Sequence, residues 1–156
     1  MFEKILVCLD GSQLAEQILP YATEQALRFN SKLMLLQVMT MPSSAYVGVE
    51  GIHAGVADIM EEEIQRREAE IKAYLDGIAG PLLKKGIALE CVILRPSPAG
   101  PAIVGYASDN AIDLICMATH GHSGVRRIVV GSVADHVLRE SGLPVLLIKP
   151  KETETR

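Results

Sequence analysis

Residues 117–132, which read MATHGHSGVRRIVVGS, are the stretch from which the fold can be predicted. They follow a short apolar run at residues 113–117, typical of a buried strand, and precede residues 133–139, where apolar residues recur at helical spacing. Such a strand, glycine-containing loop and helix start can bind a phosphate through backbone N–H groups. Ser132 falls in the first helical turn, where its hydroxyl can cap the helix or contact a phosphate oxygen. The same pattern also occurs where an α/β chain simply turns from a strand into a helix.

Outward from this stretch, the chain alternates between apolar runs and amphipathic segments. Largely apolar runs predict five buried strands, at residues 5–9, 33–38, 89–94, 113–117 and 145–148. A helical segment follows each of the first four. This alternation predicts an α/β fold, a doubly wound five-stranded parallel sheet with helices on both faces. We assign residues 1–150 to a single domain and residues 151–156 to a charged tail, and we expect the chain to fray from Lys149.

Proline and glycine indicate where the helices begin, bend or end. Pro20 lies within the first helical segment and is expected either to kink that helix or to mark its first turn. Gly80 and Pro81 are expected to break or bend the long charged helix that follows the loop at residues 40–55. A short third helix is predicted over residues 102–107.

The amino-acid composition limits which partners and which cellular compartment we expect for the protein. The chain has 156 residues and a net charge of −4, and its lysines and arginines are scattered, so we predict no nucleic-acid or membrane partner. No apolar run approaches the roughly 20 residues that span a bilayer. Cys8, Cys91 and Cys116 each lie in a predicted strand, which indicates reduced thiols and a cytoplasmic protein.

The loops that begin at Asp10, Thr40 and Thr119 all follow predicted strands. In a parallel sheet, the carboxyl ends of the strands meet at one edge, so we expect these loops to form one ligand-binding crevice. Asp10-Gly11-Ser12 also supplies turn residues and candidate caps for the next helix.

Some charged and histidine side chains are weaker candidates for a metal or phosphate site. His120 and His122 have a spacing that can ligate a metal, but no third ligand at an obvious spacing accompanies them, and we predict no metal site. Of Arg126 and Arg127, at most one is expected to contact a phosphate, because adjacent side chains point in different directions. We interpret His136 as a surface residue or a core residue with satisfied hydrogen bonds.

The spacing within residues 117–132 resembles the nucleotide loop of the universal stress protein family. That loop has a glycine, two residues, a second glycine, nine residues, and then Gly-Ser or Gly-Thr. Gly121, Gly131 and Ser132 match it, whereas Ala118 replaces the first glycine. The added methyl group is tolerable where residue 118 has strand-like dihedral angles and damaging where the backbone needs a positive φ. The resemblance extends over nearly the whole chain.

The resemblance implies a strand order of 3-2-1-4-5, a dimer and a set of nucleotide contacts. By this analogy Asp10 contacts ribose, although the alternative that it only caps a helix stays open. Val38 lies beside adenine. The ribose and phosphates are lined by Met117, Ala118, Gly121, Gly131, Ser132 and Val133.

Three functions remain as hypotheses. The first is a regulatory protein of the stress response that binds ATP, or AMP or ADP, with or without Mg²⁺, and changes state with the nucleotide. The second is an enzyme, such as a slow ATPase; the chain has no Walker A lysine motif and offers no identifiable catalytic residue, so we expect at most weak activity. The third is a protein-interaction module that does not depend on nucleotide.

The last apolar run predicts how the protein assembles. In the implied order, residues 145–148 form a sheet edge, and no charge interrupts them before Lys149. Such an edge exposes unpaired backbone groups that proteins normally cover. We therefore expect a homodimer in which two copies of this C-terminal strand pair about a two-fold axis.

Overall fold

Five parallel strands form one sheet whose order is β3-β2-β1-β4-β5. The computed structural model describes residues 1–40, 54–119 and 130–151, with only the backbone described at 54–56. The strands are β1 (Lys4–Leu9), β2 (Lys32–Val38), β3 (Leu89–Leu94), β4 (Leu114–Ala118) and β5 (Val145–Ile148). The helices are α1 (Gln13–Glu16), α2 (Leu19–Phe29), α3 (Ala54–Lys84), α4 (Ala99–Asp109) and α5 (Ser132–Glu140). The predicted fold class and strand order are confirmed.

Strand β1 is central and separates two apolar layers. Ile5 and Val7 point into the layer that α1, α2 and α3 cover, whereas Leu6 and Cys8 point into the layer beneath α4 and α5. The alternation arises because successive side chains of a strand point to opposite faces. Each fully buried aliphatic side chain stabilises the fold by about 1.5–3 kcal/mol relative to exposure. Burial on both faces therefore explains why residues 5–9 of β1 are an unbroken apolar run.

Prolines near the helix ends are accommodated in two ways, in the first turn or within the helix. Pro20 lies in the first turn of α2, which confirms the second of its two predicted roles. Pro101 lies in the first turn of α4, so that helix begins at Ala99 rather than at residue 102 as predicted. Of the two alternatives for Pro81, a break is wrong, because α3 continues to Lys84, and a bend stays a prediction. Ala79 and Leu82 are buried on either side of Pro81, and this packing offsets the cost of the proline.

The chain beyond β5 is attached to the first helical segment. The side-chain amide of Gln17 donates a hydrogen bond to the Lys151 carbonyl at 2.8 Å, and its oxygen accepts one from the Lys151 N–H at 2.8 Å. The expectation that the chain frays from Lys149 is therefore wrong as far as Lys151. Residues 152–156 lie outside the described part of the structure. Across the described ranges, no helix combines the length and the apolar character needed to cross a membrane.

Candidate functional site

A cavity of about 290 Å³ opens at the carboxyl ends of β1, β2 and β4, on the side of the sheet that α4 and α5 cover. Asp10, Thr40 and Thr119 all line it, so the residues at which the three predicted loops begin meet in one crevice. Residues 41–53 and 120–129 of two of these loops lie outside the described residues. Seven of the eight residues proposed for the site line the cavity: Asp10, Val38, Met117, Ala118, Gly131, Ser132 and Val133. Gly121, the eighth, lies outside the described residues, as do His120, His122, Arg126 and Arg127.

One wall of the cavity is apolar. Leu36 and Val38 lie two residues apart on β2 and therefore share a face, and Met117 faces the same layer from β4. Ala99 and Ile103 on α4 complete this wall, one helical turn apart. Leu36, Ala99 and Ile103 were not among the predicted site residues. The two-residue period of β2 could have indicated Leu36, but the register of α4 against the sheet is a tertiary property.

The other end of the cavity is polar and includes the turn after β1. One carboxylate oxygen of Asp10 accepts hydrogen bonds from the Ser12 N–H at 2.9 Å and from the Ser12 hydroxyl at 2.6 Å. The Ser12 oxygen in turn accepts one from the Ala15 N–H at 3.1 Å and caps α1. The helix cap is therefore Ser12, and Asp10 orients it. Gly11 has φ +84°, a value that glycine adopts without strain.

The N-terminus of α5 is held against the end of β4. The N–H of Gly131 donates to the Thr119 carbonyl oxygen at 2.9 Å. A Cβ atom at position 131 would lie 2.7 Å from that same oxygen, so this approach requires glycine. Ser132 is the first residue of α5, which confirms its predicted place in the first turn. Of its two predicted roles, capping is not observed, because Gly131 is the cap residue, and contact with a phosphate stays a prediction. The first backbone N–H groups of a helix lack intrahelical partners and favour an anion.

Ala118 is compatible with the site. It is the last residue of β4 and pairs with Ile148 of β5. Neither of the two non-glycine residues with positive φ in the described part of the chain is Ala118. Because residue 118 has strand geometry, a methyl group there needs no left-handed backbone, and the structure satisfies the condition under which alanine is tolerable.

Burial suppresses ionisation at two groups near the site. Burial raises the pKa of the Cys8 thiol far above its ordinary value, and the neighbouring Cys116 raises it further. The Cys8 side of the cavity therefore carries a neutral thiol and no thiolate nucleophile. On the opposite face of the sheet, burial raises the pKa of the Tyr74 hydroxyl, and the carboxylates of Glu16 and Asp10 act in the same direction. Within the described ranges, no three histidine, cysteine or acidic side chains are grouped as metal ligands would be.

Comparisons with known proteins agree with this architecture. The model of the universal stress protein family matches residues 1–149. Universal stress protein MJ0577 of Methanocaldococcus jannaschii is 28% identical over 160 residues, which cover 98% of each chain. The solved structure of MJ0577 superimposes with a TM-score of 0.80 and 27% identity, covering 98% of this chain and 99% of the other.

Two more distant structures share the fold and contain a nucleotide. A universal stress family protein of Arabidopsis thaliana, with AMP bound, has a TM-score of 0.65 and 18% identity, covering 98% of this chain and 95% of its own. A universal stress protein in complex with cAMP has a TM-score of 0.66 and 21% identity, with coverages of 95% and 97%.

Proposed function

Because the chain belongs to the universal stress protein family, we propose that it binds an adenine nucleotide, ATP, ADP or AMP, in the cavity at the carboxyl ends of β1, β2 and β4. In this proposal the nucleotide state regulates the protein in a stress response. The chain acts as a binding protein, with at most slow hydrolysis of ATP.

The observation that carries the proposal is the division of one cavity into an apolar wall and a polar end. Val38, Ile103 and Met117 offer a surface for a flat heteroaromatic base. Asp10 at the other end carries a carboxylate that can accept hydrogen bonds from ribose hydroxyls. The N-terminus of α5 supplies the N–H groups and the dipole for phosphate. The AMP and cAMP complexes of proteins with this fold support the same ligand class.

Thermal unfolding with added nucleotide tests the proposal. At a ligand concentration of about 100 times Kd, binding stabilises the folded state by roughly 2.7 kcal/mol. We expect Tm to rise by about 5–10 °C with ATP, ADP or AMP, given roughly 2–4 °C per kcal/mol for a chain of this size. GTP should give a smaller shift, because guanine places a carbonyl and an amine against an apolar wall. If none of the adenine nucleotides shifts Tm at millimolar excess, the protein is better explained as a nucleotide-independent interaction module.

Substitution of Gly131 locates the binding within the cavity. In Gly131→Ala the new methyl group meets the Thr119 carbonyl oxygen, so the start of α5 must move away from β4. We expect loss of the nucleotide-dependent shift in Tm, and valine at this position should have a larger effect. Gly105→Ala on α4 is the control, because a Cβ atom there has no neighbour within 4 Å. A full shift in Gly131→Ala would place the ligand elsewhere.

A further inference from the structure

Helices α4 and α5 make very close contact at Gly100 and His136. A Cβ atom built on Gly100 would lie 2.8 Å from Cγ of His136 and 2.9 Å from its Cβ and Cδ2 atoms. Carbon atoms in ordinary contact are about 3.5–4.0 Å apart. The imidazole ring therefore lies directly over the backbone of Gly100, and even alanine at position 100 would force the two helices to move relative to each other.

The backbone conformation at position 100 does not require glycine. It is buried in the first turn of α4, where φ is helical, and glycine is a poorer helix former than alanine. Gly105 lies on the same helix but has no atom within 4 Å of a Cβ position. Of the two glycines in α4, only Gly100 permits a close approach to another element.

This contact is the second of two that seat α5 beside the cavity. Gly131 rests on the Thr119 carbonyl at the start of the helix, and His136 rests on Gly100 farther along it. Ser132 and Val133, which line the cavity, lie between these two supports. The apolar wall belongs instead to β2, β4 and α4. A displacement of α5 relative to α4 therefore changes the phosphate end of the cavity, whereas Leu36, Val38 and Met117 of the wall lie on strands and stay in place.

We propose that Gly100 and His136 are a positioning pair that aims the N-terminal N–H groups of α5 at the phosphate of the nucleotide. This inference rests on the proposed function and extends it to two residues that do not line the cavity. It assigns His136 a role in phosphate recognition through helix placement. The strand residues of the wall, which contact the base in this proposal, do not depend on the pair.

Calorimetric titration of AMP and adenosine tests the pair, because adenosine lacks the phosphate. In Gly100→Ala we expect AMP to bind about tenfold more weakly or worse, since losing one hydrogen bond to a charged group costs about that factor. Adenosine should bind within about twofold of the parent protein. Gly105→Ala is the matched control on the same helix and should leave both affinities unchanged. A merely structural defect would weaken both ligands together.

Rescue by a second substitution makes the test specific. His136→Gly removes all three atoms that the new methyl group would meet, so the double variant should recover the ratio of AMP to adenosine affinity better than Gly100→Ala alone. Should Gly100→Ala fail to fold, His136→Ala removes the ring from Gly100 without adding atoms and should selectively weaken AMP.

The outcomes separate the two proposals. Parent-like AMP binding by Gly100→Ala and by His136→Ala would overturn the inference alone. An equal loss of AMP and adenosine affinity in these variants would overturn it as well. No AMP binding by the parent protein would overturn the proposed function and this inference with it.

Discussion

Asp10 illustrates how one side chain connects the turn after β1 to the cavity. Its carboxylate holds the backbone and hydroxyl of Ser12, and Ser12 caps α1. From the sequence alone, Asp10 could either cap a helix or contact ribose, because an aspartate at such a turn is compatible with both roles. The structure assigns the cap to Ser12 and places Asp10 beside the cavity. The two roles can therefore be separated by substituting each residue in turn.

We predict that Asp10→Ala weakens adenine nucleotide binding by about 1.5–3 kcal/mol, the range for a hydrogen bond to a charged group. Ser12→Ala is the comparison, because it removes the cap and should lower the free energy of unfolding by about 1 kcal/mol. Its nucleotide affinity should stay close to that of the parent. Titration calorimetry and urea unfolding of both variants measure the two effects. Parent-like binding by Asp10→Ala would remove the ribose contact from the proposal.

Cys116 predicts a loss of stability at alkaline pH. Burial raises the pKa of its thiol from 9.0 to about 12 in the folded protein. The stabilisation is complete below the unfolded pKa and is lost as pH rises from about 9 towards 12. Between pH 8 and pH 10 this thiol should lower the free energy of unfolding by about 1–2 kcal/mol. In Cys116→Ala the fall measured by urea unfolding should be smaller by that amount. An identical fall in both proteins would mean that the thiol ionises in the folded state.

Residues that line the cavity were predictable where local sequence determines their position, and not where packing does. The Gly131-Ser132 pair could be found from spacing, but the structure makes glycine the cap because the Thr119 carbonyl excludes any side chain. From the sequence, His136 was interpreted only as a surface residue or a core residue with satisfied hydrogen bonds. Its contact with Gly100 depends on how α4 and α5 cross. The sequence periodicity of either helix does not indicate how the two helices cross.

At the scale of the element, strands were predicted more closely than helices. The bounds of β3 and β5 are those expected, because glycine or proline lies on each side of both of these short, largely apolar runs. Helix α3 differed from expectation at Pro81, where burial of neighbouring side chains outweighs local preference. A long helix can thus contain a residue, here Pro81, whose local preference is against the helical conformation.

Glycine in α3 can be replaced with a gain in stability. Gly77 is exposed, and a Cβ atom there would have no neighbour within 4 Å. We predict that Gly77→Ala raises the free energy of unfolding by about 0.5–1 kcal/mol, because alanine is the better helix former. Gly86→Ala is the matched control: its surroundings are equally open, but φ is +81°. That variant should be destabilised. Thermal unfolding of the pair measures both signs, and equal shifts would contradict the argument.

At the scale of the whole molecule, the two edges of the sheet differ. Edge strand β3 carries Glu90, which forms an exposed ion pair with Lys32, and Arg95 just beyond it pairs with Glu61. Edge strand β5 is apolar along its length, and all four of its residues are partly exposed. Charges discourage pairing with another chain at β3, whereas nothing within Val145–Ile148 does so.

We therefore propose that β5 pairs with β5 of a second copy, antiparallel about a two-fold axis. Sedimentation equilibrium at tens of micromolar protein should give the mass of a dimer with or without nucleotide. Leu147→Lys places a charge on the edge and should shift the protein towards the monomer. Cys91→Lys on β3 is the corresponding change at the other edge and should leave the dimer mass intact. A monomer mass for the parent protein would mean that β5 is covered in another way.

The attachment of Lys151 to Gln17 gives the molecule a natural reporter in hydrogen exchange. The Lys151 amide is protected by a side chain one residue beyond α1, and α1 is capped by Ser12, which Asp10 orients. Opening of this segment exposes the amide to solvent. Its deuterium uptake should therefore slow when a ligand steadies the turn at Asp10, although the amide lies beyond the last strand. Deuterium uptake at this one amide should then report whether the cavity is occupied, without an attached label. Gln17→Ala should abolish the protection of the amide.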